Sequence, residues 1–133
     1  MRVPDWPRLL ARHIERRRNL PFSWGSNDCC MAAADWMLEC TGADPAAHLR
    51  GTYSSARAAT VLLRRYGGLA EIVTAAGLAP HRTPALAQRG DVALATRGGR
   101  ELLAVVDGAY AVAPGPLGLV WVPLAEATAA WKV

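Results

Sequence analysis

The chain has 133 residues, 52% of them hydrophobic and 20% charged, which is enough for one packed domain and too little for two. Its formal net charge is +4. No apolar run approaches the roughly 18–20 residues that cross a bilayer, and the N-terminus lacks the apolar stretch of a secretory signal. We therefore expect no signal peptide, no membrane insertion, and a place inside the cell that makes the protein.

The positive charge is concentrated in the first 20 residues. Six arginines stand there against two carboxylates, whereas the rest of the chain holds nine basic and nine acidic side chains. A nucleic-acid-binding surface needs basic residues spread along a face, or a recognised motif, and the sequence has neither. We expect no nucleic acid partner. The alternatives for this segment are a solvated helix face and a surface that docks onto an acidic protein.

Four helices are predicted in the N-terminal half, which extends to about residue 77. The first is amphipathic and basic, with apolar side chains recurring on one face. The second is apolar almost all round, so we expect it to be the central, buried helix. The predicted bounds are 5–17 with Asp5 as cap, Asn27 or Asp28 to Cys40 with Gly42 as stop, Ser54 or Ser55 to Gly67-Gly68, and 69–76.

The second half of the sequence predicts strands, because apolar residues alternate from Asp91 onward. Glycine-containing turns separate four segments, and a short terminal helix is predicted after them. The predicted strands are 91–95, 101–106, 110–113 and 119–122, within a sheet half of about 90–123, and the predicted helix is 124–131. Helices followed by an antiparallel meander predict an α+β fold, in a single domain covering residues 1–133.

The segment with the clearest chemistry is Pro21 to Cys30. Cys29 stands in the first turn of the predicted central helix, directly after Asp28 and an aromatic-glycine loop at Trp24-Gly25. Unpaired N–H groups and the helix dipole at that position favour a thiolate, which is the nucleophilic form. The alternative is that the cysteines are small buried side chains. No second Cys or His pair has zinc-site spacing, so we expect no metal and no cofactor.

The sequence Trp24-Gly-Ser-Asn-Asp-Cys-Cys30, followed by helices and then by Arg89-Gly-Asp-Val92 at the start of the meander, resembles the NlpC-type, papain-like cell-wall cysteine peptidases. The resemblance covers about residues 20–125 and is strongest for a small single-domain branch found in bacteriophage tail gene clusters and prophages. It implies a papain-like fold in which Cys29 is the nucleophile and Asp28 its neighbour. It also implies that Gly90-Asp91 opens the first strand of the sheet.

One catalytic residue of that family has no counterpart here. The strand matching residues 102–108 should begin with the catalytic histidine, and its first residue is Leu102. The third polar residue would lie within 110–113, where only the Tyr110 hydroxyl is polar. Thiol catalysis needs a base and then a proton donor. The resemblance thus implies a peptidase fold that has lost its base, unless His81 or His13 has taken over that role.

Two functions are expected from these features. The first is a catalytically inactive component of a phage tail tip or hub, made in the host cytoplasm and carried in the virion. It would bind other tail proteins through the first helix and the C-terminal region, by Arg12, Arg16, Arg17 and Trp131. The second is an active cysteine endopeptidase or amidase that degrades peptidoglycan during phage entry, with Cys29 as nucleophile. A free-standing thiol enzyme or binding module on the same fold is a third class.

Overall fold

The computed structural model describes residues 1–133. Four helices form the first half and six antiparallel strands the second, which confirms the predicted α+β class with N-terminal helices and a C-terminal sheet. The helices are α1 (Trp6–Arg17), α2 (Cys29–Thr41), α3 (Ala56–Tyr66) and α4 (Leu69–Ala75). The strands are β1 (Ala79–Pro80), β2 (Val92–Arg97), β3 (Arg100–Asp107), β4 (Tyr110–Gly115), β5 (Gly118–Pro123) and β6 (Ala127–Lys132).

Local signals set most of the helix ends. Asp28 and Ser55 cap α2 and α3, each accepting a hydrogen bond from the backbone N–H three residues further on, at 2.9 and 3.1 Å. Gly42 ends α2 in the left-handed conformation. The predicted cap of α1 is wrong in its contacts, because the Asp5 side chain makes no cap hydrogen bond and pairs instead with Arg8 at 3.0 Å.

The sheet has the strand order β1-β6-β2-β3-β4-β5. Strands β2 to β5 form the predicted meander, and a two-residue turn at Gly98-Gly99 joins β2 to β3. The predicted terminal helix over 124–131 is wrong. Only Leu124–Glu126 forms a 3-10 turn, and the following strand β6 pairs with both β1 and β2. Its backbone hydrogen bonds to β2 replace those of a helix, so the sheet extends beyond the predicted limits of 90–123.

The main core lies between the helices and one face of the sheet. Trp36 of α2 is fully buried there, together with Leu10 of α1 and Val105 of β3. The other face of the sheet is lined mostly by alanines of β2, β3, β4 and β6. Two 3-10 turns, Pro84–Leu86 and Leu124–Glu126, contact each other beside this alanine cluster.

Asp91 holds together segments from both ends of the sequence, and we call this arrangement the Asp91 junction. The carboxylate is 3% exposed. The contacts of its two oxygens are the Arg2 guanidinium at 2.6 Å, the Val133 N–H at 3.1 Å, the Gln88 N–H at 2.9 Å and His81 Nε2 at 2.8 Å. The Trp36 indole donates to the adjacent Gly90 carbonyl at 2.8 Å. The Gly-Asp pair therefore anchors the fold at the start of β2.

Candidate functional site

An open cleft of about 1110 Å³ is lined by α3 and by the turn between β2 and β3, and it contains Cys29. Phe22 and Trp24 also line it, with ring centroids 4.7 Å apart in an edge-to-face arrangement. Half of the lining residues are hydrophobic. A cleft of this size, with both apolar and polar side chains around a thiol, is suited to binding another molecule.

The loop that delivers Cys29 to the cleft requires a glycine at Gly25. This residue has φ of +79°, and a Cβ there would lie 2.1 Å from the Tyr53 carbonyl oxygen. The backbone of the loop thus packs directly on the segment before α3. The Gly25 N–H also donates to Asp28 at 2.9 Å, which fixes the loop relative to the start of α2.

Asp28 is fully engaged in holding this arrangement. Its side chain receives hydrogen bonds from the N–H groups of Gly25 and Met31, each at 2.9 Å, and from the Tyr53 hydroxyl at 2.5 Å. Burial, and then the bond to Asp28, raise the pKa of Tyr53, so this hydroxyl stays protonated and remains a donor. Asp28 therefore positions the loop, the helix start and Tyr53 around Cys29.

The Cys29 side chain is half-buried and is a thiol at neutral pH. Burial raises its pKa to about 11, the Leu103 backbone N–H lowers it, and the nearby Asp28 charge raises it. Burial also raises the pKa of Cys30, to about 12. Burial thus opposes the thiolate that the start of the helix favours at Cys29, and the net shift of the pKa is upward.

The residue expected in place of the catalytic base is Leu102, which lies in β3. Leu102 lines the same cleft as Cys29, and both pack against the alanine cluster. The neighbouring strand contributes Pro114 and Gly115 to the cleft, neither of which has a polar side chain. Tyr110 lies opposite Asp107 in the register of β3 and β4, at the end of β4 away from Pro114 and Gly115. Its hydroxyl therefore does not serve as the third polar group.

The structure does not bring His13 or His81 to Cys29. His13 contacts Trp36 and Glu39, at a ring distance of 5.7 Å and an Nδ1–Oε1 distance of 3.4 Å. These residues lie seven to ten positions along α2 from Cys29, or about 10–15 Å at 1.5 Å per residue. His81 is held in the Asp91 junction. Burial and the Arg17 charge lower the pKa of His13. None of the histidines lines the cleft.

The partner-binding residues expected on α1 and at the C-terminal end are mostly engaged inside the molecule. Trp131 is 3% exposed in the main core, so its assignment to a partner surface is wrong. Arg17 bonds Asn27 and pairs with Asp35, and Arg16 pairs with Glu39 at 2.6 Å. Arg12 is exposed and has no carboxylate partner. Acidic residues of α2 therefore compensate much of the charge that the sequence concentrates on α1.

Sequence reasoning missed the arginines at the cleft. Arg64 on α3 and Arg97 and Arg100 at the β2–β3 turn all line it, and all three are exposed. Because Arg64 lies far from Arg97 and Arg100 in the sequence, counting the charges of a short segment does not group these three residues. One signal was present, because α3 contains three arginines and no acidic residue.

Two further features bear on what the chain can bind. No group of three or more His, Cys, Asp or Glu side chains is arranged to hold a metal ion. None of the helices has both the length and the apolar character needed to span a membrane.

Comparison with known proteins identifies the family of this chain. No curated protein and no solved structure matches it. One family model does match, and it covers residues 1–133. The chain therefore belongs to the family described as Domain of unknown function (DUF6950).

Proposed function

We propose that the chain is a catalytically silent domain of the NlpC-type, papain-like class that acts as a structural or assembly component of a phage tail tip or hub. The observation that supports silence is that the cleft lined by Cys29 and Leu102 contains no histidine. A leucine accepts no proton, and general acid–base help contributes about 10²–10⁴-fold to such reactions. The remaining role of the cleft is binding.

The state of the surrounding groups agrees with this proposal. The pKa of the Cys29 thiol is raised by burial, whereas a nucleophilic cysteine needs a lowered one. Asp28 has its oxygens occupied by three donors. His81, the candidate for a relocated base, has its Nε2 committed to Asp91.

The tail assignment depends on the resemblance of two segments, residues 24–30 and 89–92, to the branch found in phage tail gene clusters. A cleft retained without its base is consistent with a domain kept for assembly contacts. The alternative, an active peptidoglycan endopeptidase or amidase with Cys29 as nucleophile, is favoured by the access of this thiol to the cleft. It requires a base from outside the cleft.

Site-resolved alkylation tests the silence of Cys29. With iodoacetamide from pH 6 to 11, labelling of Cys29 followed by mass spectrometry is expected to be slow at pH 7 and to rise toward pH 11, because its pKa is about 11. The variant Leu102→His is expected to label about tenfold faster at pH 7, since an imidazole beside the thiol promotes the thiolate. Thr60→His, which places a histidine on the α3 side of the cleft, is the matched control and should leave the rate unchanged.

Two outcomes would contradict the proposed silence of Cys29 or the role given to Leu102. Fast labelling of unmodified Cys29 below pH 7, together with cleavage of peptidoglycan stem peptides that Cys29→Ser abolishes, would establish the peptidase alternative. Equal acceleration by both histidine variants would show that Leu102 does not occupy the position of the base.

Particle composition tests the tail assignment. Phage or prophage particles purified from the organism that carries the gene are expected to contain the chain at a fixed copy number, measured by quantitative mass spectrometry. A gene deletion should block tail assembly, and Cys29→Ser should restore it as fully as the unmodified gene. Recovery of the chain only in the host cytoplasm would contradict the assignment.

A further inference from the structure

The cleft is bordered by positive charge that the protein leaves largely unpaired. Arg64 and Arg100 line it without any carboxylate partner. Arg97 has one, the exposed Glu126, at 3.5 Å. Glu101 is the single acidic side chain among the exposed residues that line the cleft. The mouth of the cleft therefore carries an excess of cations, and we call Arg64, Arg97 and Arg100 the arginine rim.

The rim differs from the basic segment at the start of the sequence. On α1, Arg16 and Arg17 are bonded to carboxylates of α2, and Arg8 and Arg18 pair with acidic residues on or beside their own helix. The arginines of α3 have no acidic residue on their own helix. Ala59 is the only buried residue of α3. On α1 only Arg12 lacks a carboxylate partner, whereas all three arginines of α3 lack one.

Apolar side chains make up half of the cleft lining. Leu62 and Leu63 of α3 line it, as does Leu102 of β3, and the Phe22–Trp24 pair adds an aromatic surface. Apolar side chains of a ligand gain free energy by entering such a surface, while its charged groups remain at the mouth. The matching ligand is amphipathic, with anionic groups spaced around an apolar one.

We propose that the cleft binds an extended acidic segment of a partner protein, in which carboxylates pair with the arginine rim and an apolar side chain between them enters the cleft. The guanidinium group suits this role because it binds a carboxylate through two parallel hydrogen bonds. This docking role rests on the proposed function, since a silent cleft is free to hold a segment without cutting it.

A peptide fits these observations better than a nucleic acid. A single strand of nucleic acid carries one phosphate per nucleotide and needs a continuous track of cations with stacking platforms. The cleft has three arginines at its mouth, one acidic neighbour, and apolar side chains over half of its lining. Its charge suffices for a few carboxylates and falls short of a phosphate chain.

Fluorescence anisotropy with a synthetic peptide tests the proposal. The probe is a labelled hexapeptide of five acidic residues around one leucine, at about 50 mM NaCl. The double variant Arg64→Gln/Arg100→Gln is expected to weaken its binding about tenfold, because both rim charges that lack a partner are lost. Raising the salt to 500 mM should also weaken binding, since exposed charges are then screened.

A charge-matched control separates the cleft from net charge. Arg12→Gln/Arg82→Gln removes two exposed arginines that also lack carboxylate partners but do not line the cleft, so it should change affinity less than twofold. Peptides with amides in place of the carboxylates, or with serine in place of the leucine, should bind more weakly. Circular dichroism checks that all variants remain folded.

Three results would overturn the docking proposal: equal weakening by both double variants, no weakening by either, or displacement of the peptide by a tighter-binding oligothymidine. Each differs from failure of the proposed function. An active peptidase would be seen as fast alkylation of Cys29 and cleavage of stem peptides, whatever the rim variants do to peptide affinity.

Discussion

Replacing Asp91 with asparagine is expected to lower the free energy of unfolding by about 3–5 kcal/mol, the usual loss when one partner of a buried ion pair is removed. The change keeps the shape of the side chain but leaves the Arg2 guanidinium, 17% exposed, without its counter-charge. It also weakens the contacts of His81 and Val133 with this side chain. Small domains have only about 5–15 kcal/mol in total, so we expect a large shift of the urea midpoint.

Asp5→Asn is the matched control for this measurement. Asp5 forms an ion pair with Arg8 at 3.0 Å, but both side chains are more than half exposed. Such pairs contribute roughly 0–1 kcal/mol, so the urea midpoint should hardly move. A loss of less than about 1 kcal/mol for Asp91→Asn would contradict the role of the Asp91 junction as the anchor of both ends of the sequence.

Gly25→Ala is expected to lower the free energy of unfolding by about 3 kcal/mol, from two sources. The left-handed conformation at φ +79° costs alanine about 1–2 kcal/mol. The added Cβ would stand 2.1 Å from the Tyr53 carbonyl oxygen, and relieving such overpacking costs about 1–3 kcal/mol. Because the clash is with backbone, the loop before α2 must shift. Urea unfolding at neutral pH measures the loss.

Gly42→Ala isolates the first source, the left-handed conformation. Gly42 has a nearly identical φ of +80°, and no atom lies within 4 Å of the position of its Cβ. Only the conformational cost of about 1–2 kcal/mol should appear there. If both variants lowered the free energy of unfolding by the same amount, the close approach of Gly25 to Tyr53 would contribute nothing to stability.

The helices and the meander could be predicted because their signals are local. The capping residues, the stop glycines and the Gly98-Gly99 turn act on neighbouring backbone. The helices and strands of the structure begin or end at these residues. The segment 124–131 shows the limit of this reasoning. Its alanines, leucine and glutamate favour a helix, yet pairing with β2 makes most of it a strand. A partner strand more than 30 residues away in the sequence leaves no local signal.

The candidate site was predictable in part, for the same reason. The position of Cys29 at the start of α2 followed from the capping residue before it, and the turn at Gly98-Gly99 predicted the strand that carries Leu102. The pKa of the thiol did not follow, because it depends on burial by distant segments. Neither did the arginine rim, which combines residues of α3 with the β2–β3 turn.

The position of β6 within the sheet has a consequence for the newly made chain. β6 lies between β1 and β2, although it is synthesised after every other strand. The hairpins of β2 to β5 can pair as they leave the ribosome, because each strand follows its partner closely. One edge of β2, with the apolar Val92 and Leu94, stays open until β6 arrives. An open apolar edge is a template for aggregation. The nascent chain is therefore most prone to aggregate after β2 has formed and before β6 pairs with it.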